Sequence, residues 1–171
     1  MVKHNYFTLR ERILIYLELK RNWIFPIITL ATYQILILVF KLHHHDIFIS
    51  IGKGDLHNHI LFMSTLLASF LFLGICILVA ASEKKIFKLL SKGGYLKITY
   101  TSIYLGIITL LGTIGFSFAS MINFIEDIQP ILVNLEISIF LIGVTYFIMS
   151  VWKMSENLKW VYQENIETDD E

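Results

Sequence analysis

The chain has 171 residues, of which 56% are hydrophobic and only 16% charged, and fourteen basic residues balance fourteen acidic ones. A soluble domain carries nearer a quarter charged residues, so this composition describes a chain whose solvent is largely lipid. Zero net charge is silent about nucleic acid or acidic substrates, and no direct nucleic-acid binding is expected; a lone cysteine, Cys76, excludes an intrachain disulfide and a cysteine zinc site.

Residues 7–21 read as an amphipathic helix, with Leu9, Ile13, Tyr16 and Leu17 near one face and Arg10, Arg12, Lys20 and Arg21 elsewhere. Such a segment suits the lipid interface, and equally a helix that bends and continues into the membrane. Four apolar runs follow, at about 23–41, 60–81, 98–122 and 131–152. Each has the length of about 20 helical residues that a bilayer core requires. Their unbroken apolarity excludes the alternating pattern of a membrane barrel, so all four are predicted to be transmembrane helices. Pro26 lies near the start of the first, where proline is tolerated, and no small-residue cleavage site follows it, so it reads as a span and not a signal peptide. Cys76 sits within the second run and is expected to be a small buried hydrophobe.

Charge fixes the expected orientation. The N-terminal segment carries Lys3, Arg10, Arg12, Lys20 and Arg21; the second connection carries Lys84, Lys85, Lys88, Lys92 and Lys97; the C-terminal segment adds Lys153 and Lys159. The first connection has only Lys41 and Lys53, and the third has no basic residue. This bias predicts that both termini and the second loop are cytoplasmic in a bacterial inner membrane. Trp23, Trp152 and Trp160 at or beyond the same ends match an aromatic belt. The domain plan is therefore a cytoplasmic amphipathic segment (1–22), a four-helix transmembrane domain (23–152) and an acidic cytoplasmic tail (153–171), which ends in Glu167, Asp169, Asp170 and Glu171 and is expected to fray. A basic amphipathic stretch over 83–92 extends the second helix as far as Gly93-Gly94.

Three features carry chemistry. The first external loop holds His43, His44, His45, His57 and His59 with Asp46 and Asp55, around the β-prone run Ile47–Ile51 and the turn Gly52-Lys53-Gly54. Read as a short hairpin, it places Asp55, His57 and His59 on one face. With His43 and His45 these imidazoles and this carboxylate form a candidate metal or pH site, and a metal ion is the one cofactor the sequence suggests; a plain water-facing loop is the alternative. The second feature is Glu136, an ionisable residue inside the fourth run near Asn134 and Ser138. Such a group faces a bundle interior, or else reaches the nearby headgroups, and Gln34, Thr109 and Thr113 are its candidate polar company. The third is a set of small residues, Ser102, Gly106, Gly112, Gly115 and Ala119, which permit close helix approach within one bundle or between copies of the chain.

The chain has no phosphate loop, dinucleotide turn, nucleophile elbow or HExxH motif. No segment outside the spans is long enough to bury a core that would hold catalytic residues, so an enzyme is not expected. The expected function is an oligomeric membrane sensor or anchor that engages a cytoplasmic protein partner or lipid through Arg10, Arg12, Lys20, Arg21, Lys84, Lys85 and Lys88. The alternatives are a small transporter or channel built on Glu136, and a histidine-dependent metal-handling protein.

The charged start through Arg21, the four spans from Trp23 to Trp152 and the cytoplasmic ends together resemble, in layout and over the whole chain, the small four-helix membrane subunit of the bacterial Kiwa anti-phage defence system. That resemblance implies an oligomeric inner-membrane sensor of phage attack working with a cytoplasmic, DNA-binding effector.

Overall fold

A computed structural model describes residues 9–39, 55–83, 88, 91, 94–122 and 129–169. The described chain forms four long helices: α1 (Leu9–Val39), α2 (Leu56–Ala80), α3 (Tyr95–Ile122) and α4 (Gln129–Asp169), with a 3-10 turn at Ala81–Glu83 after α2. Each contains a stretch long and apolar enough to cross a membrane, Asn22–Val39, Leu56–Ala80, Tyr95–Met121 and Ile131–Lys159. The protein is a multi-pass membrane protein whose described residues include no strand.

The helices satisfy the demands of lipid locally. A backbone in hydrocarbon must close its own hydrogen bonds, and a hydroxyl facing lipid has the same need. Thr32, Thr65, Ser69 and Thr101 lie towards the outer surfaces, and each donates to the carbonyl four residues back, at 2.8 Å. Cys76 lies on the outer surface of α2 among Phe72, Leu73 and Ile77, so it is exposed and not buried as expected. A thiol is apolar enough to face lipid at little cost.

Helix boundaries differ from the expected ones at three places. α2 begins at Leu56, capped by Asp55, whose carbonyl accepts from the His59 amide at 3.0 Å. The second arm of the expected hairpin is therefore helix; its first arm and turn lie outside the described residues. Gly94, with φ of 75°, admits the left-handed turn from which α3 starts, and its amide donates to the Ser91 carbonyl at 3.0 Å. α1 runs unbroken through residue 22, and α4, at 41 residues, runs through residue 152, so the expected divisions there fall inside continuous helices. At 1.5 Å per residue α4 is about 60 Å long, roughly twice a bilayer core.

α3 and α4 form the central pair. α2 packs against α3 and, less extensively, α4; α1 packs against α4 and, less extensively, α3; among the described residues α1 and α2 make no contact. α2 turns one seam inward, His57, Ile60, Ser64, Ala68, Leu71, Gly74 and Leu78, at the spacing of helix packing. Because lipid removes the hydrophobic drive for helices to associate, close contact and hydrogen bonds hold them instead. Gly106 provides such contact, since a Cβ there would stand 2.8 Å from Leu71 Cδ1 and 3.3 Å from Tyr146 Cβ. Gly143 on α4 receives Leu110 of α3 in the same way.

Candidate functional site at the two ends of the bundle

Buried polar groups gather at both ends of the α3–α4 pair. At one end Glu136 of α4 is fully buried. Its Oε2 lies 2.6 Å from His57 Nδ1 of α2, and its Oε1 accepts from the Ser117 hydroxyl of α3. Both carboxylate oxygens are thus engaged, and one side chain ties three helices. Glu136 is placed by the inward stripe of α4 that also contains Val133 and Gly143, so it faces the bundle and does not reach for headgroups. With Nδ1–H donated to the carboxylate, the imidazole presents Nε2 on its far side, where it is buried without a hydrogen-bond partner. Ser64, Ser120 and Asn134, on the same three helices, also carry buried polar atoms with no partner.

At the other end Lys153 of α4 is buried, and its Nζ donates to Asn22 Oδ1 of α1 and to Ser102 Oγ of α3, the latter at 2.8 Å. One turn on, Asn157 Nδ2 donates to Thr99 Oγ1 of α3 at 2.9 Å. The two ends follow one plan. An ionisable residue of α4 meets a serine of α3, then reaches α2 at one end and α1 at the other. Between them α1 meets α4 through Thr145 and Thr29, 3.1 Å apart, and Gln34 and Ser138, 3.4 Å apart.

The expected site residues divide accordingly. His57 and His59 lie on a helix, where positions two apart point about 200° from each other; His57 faces inward and His59 outward. Asp55 is exposed and takes an Asn58 contact at 3.5 Å. The shared face expected for Asp55, His57 and His59 does not form, and no group of three potential metal ligands occurs among the described residues. His43 and His45 lie outside them. Gln34 meets Ser138 and not Glu136, and Thr109 and Thr113 bond carbonyls of their own helix. Ser102 and Gly106 pack inside the bundle, whereas Gly112 and Gly115 have open space where a Cβ would stand and Ala119 is exposed. Lys20 and Lys88 are exposed; the side chains of Arg10, Arg12, Arg21, Lys84 and Lys85 lie outside the described residues.

Sequence reasoning missed His57 as the partner of Glu136, Ser117 as its second donor, and the whole Lys153–Asn22–Ser102 cluster. The spacing of Lys153 with Asn157 on α4, and of Thr99 with Ser102 on α3, was the available signal, since each pair shares a helix face. No family model, curated protein or solved structure matches this chain.

Proposed function

We propose that the chain is a non-enzymatic, homo-oligomeric sensor or anchor subunit of a bacterial inner membrane, acting through a cytoplasmic protein partner in anti-phage defence. The observation that carries this reading is the sharing of α3 and α4 by both buried ties. A disturbance that breaks His57 from Glu136 shifts the same two helices that Lys153 and Ser102 lock at the far end. α4 continues beyond its apolar stretch, which ends at Lys159, and α1 begins well before Asn22, so both offer a partner helical surface beyond the spans. The distribution of lysine and arginine supports a cytoplasmic location for those extensions. Open space over Gly112 and Gly115 leaves a lipid-facing strip on α3 that a second copy can approach closely.

Purification from the native host in mild detergent, with the mass of the complex and the identity of copurifying proteins, tests the proposal. A homo-oligomer carrying a soluble partner is the expected result, and a partner-free monomer would refute it. Reversing the charges of Lys84, Lys85 and Lys88 should release the partner while the protein still inserts. A second reading, proton- or cation-coupled transport, is favoured by the complete burial of Glu136 beside His57 within a span. Flux into proteoliposomes that disappears in Glu136→Gln would establish it over the first.

A further inference from the structure

Both partners of the His57–Glu136 contact titrate, so its charge is not fixed. At 2.6 Å, Nδ1 and Oε2 cannot present lone pairs to each other and must share one proton. The ring can hold one more, at Nε2. With it the pair is neutral overall; without it one net negative charge is left among three helices. The Ser117 hydroxyl solvates that charge and does not cancel it. Nothing else nearby does so among the described residues. On α2, Asp55 is exposed and His59 turns outward. The stretch of α3 from Leu110 to Ile122 contains no ionisable residue, and α4 from Gln129 to Thr145 contains Glu136 alone. Among the described residues α1 makes no contact with α2, and the ionisable residue of its span, Tyr33, lines a groove with Leu141. An uncompensated charge inside a span is costly, so the three helices are held together more firmly with the Nε2 proton than without it.

The fold gives a proton one way in. His57 is the second residue of α2, and the Asp55 side chain makes no capping hydrogen bond to that first turn. A helix end without such a bond opens at low cost. The His57 side chain is 8% exposed, against 0% for Glu136, so the pair nears the surface through the imidazole. In the other direction lies a packed apolar layer of Ala68, Leu71, Ile103, Ile107 and Leu110. Close contact at Gly106 and Gly143 leaves no room for water there. The next ionised group on α4, Lys153, is about 25 Å farther along the helix. We propose that His57 and Glu136 form a proton-binding site that exchanges only with the face at which α2 begins, and that loss of its proton loosens α2 from α3 and α4. The tie then changes from a contact between two charges to a hydrogen bond onto one, which is weaker. This deepens the sensor reading above by naming its stimulus, a fall in proton concentration at that face.

The test uses the full chain with nitrogen-15 in its histidines, reconstituted in sealed lipid vesicles selected for one direction of insertion. Nitrogen resonances report directly whether Nε2 carries a proton, and the His57 signal is the one missing from His57→Gln. Raising the pH from about 6 to about 9 on the face where α2 begins should remove that proton. The same step on the opposite face alone should leave it in place. Over the same range, hydrogen-exchange protection along the first half of α2, corrected for the intrinsic rate at each pH, should fall about tenfold. His57→Gln keeps a donor for Glu136 and has no proton to lose, so its protection should not change with pH, while His59→Gln should behave as the parent. If His57→Gln fails to insert, the parent still decides the matter. A Nε2 proton that never leaves, one that answers to the opposite face, or one that leaves with α2 still fully protected would each overturn the proposal. Should the parent purify as a homo-oligomer with a partner and yet show no response at His57, this inference falls and the sensor reading stands. A one-sided response in a partner-free monomer would do the reverse.

Discussion

His57 of α2 and Glu136 of α4 stand 79 positions apart and meet at 2.6 Å, Nδ1 to Oε2, with Ser117 of α3 on the other carboxylate oxygen. Each of the three groups would be expensive to bury alone, and together they account for one another. Replacing one partner of a buried pair costs about 3–5 kcal/mol, because the other remains buried without compensation. Glu136→Leu should therefore destabilise the protein strongly, and the double variant His57→Leu, Glu136→Leu should be no worse than Glu136→Leu alone. His59→Ala, two positions on and exposed on the outward side of α2, should change stability by less than about 0.5 kcal/mol. A double-mutant cycle read from detergent-titrated unfolding measures all of these, and strictly additive losses would show that the two residues are not coupled.

Lys153 joins α1 to the central pair at the opposite end. α1 has the smallest buried share of the four spans, 17% of its window, so polar contacts carry a larger part of its attachment than they do elsewhere. Lys153→Met keeps the length of the side chain and removes the donor. The hydrogen bonds lost are each worth about 1.5–3 kcal/mol when they involve a charged group. Amide hydrogen exchange should accelerate along α1 while α2 and the middle of α3 keep their protection. Uniform acceleration over all four helices would instead mean that α1 is integral to one cooperative unit.

The orientation inferred from charge has its own check. In a Cys76→Ala background, Asn123→Cys should react with a membrane-impermeant maleimide added to intact cells, and Lys92→Cys should react only after the cells are permeabilised. The reverse pattern would invert the topology and place the extensions of α1 and α4 outside the cell.

What was legible in the chain was whatever depends on one segment at a time. Apolar length gave four helices, and the membrane depth of Glu136 marked it as a residue needing an explanation. Partnership was not legible, because helix count and loop order leave open which faces meet. His57 was assigned to a strand by the β-prone run and glycine turn before it, although helix begins at Leu56, directly after Asp55. Lys153 follows Trp152 at a span end, and its charge was fully explained by topology; nothing in its immediate sequence shows that it turns inward to Ser102. The small residues of α3 share one composition but serve two surfaces, and only the packing separates them.

That separation yields the sharpest contrast among substitutions. A Cβ at Gly106 would fall 2.8 Å from Leu71 Cδ1 and 3.3 Å from Tyr146 Cβ, and the second contact lies close to the α4 backbone, which cannot rotate aside. Gly106→Leu forces α2 or α4 away from α3 and should cost about 1–3 kcal/mol or more, as overpacking does. At Gly115 nothing lies within 4 Å of the same position, so Gly115→Leu should leave the stability of a single chain within about 0.5 kcal/mol of the parent. If α3 approaches a second copy along Gly112, Gly115 and Ala119, the same leucine keeps the two helices apart. Mass measurement in mild detergent should then show Gly115→Leu folded but reduced in assembly, and Gly106→Leu destabilised whatever its assembly. An unchanged complex mass for Gly115→Leu would move the contact between copies to another face, because a helix pair in lipid that relies on small residues does not tolerate leucine at its closest point.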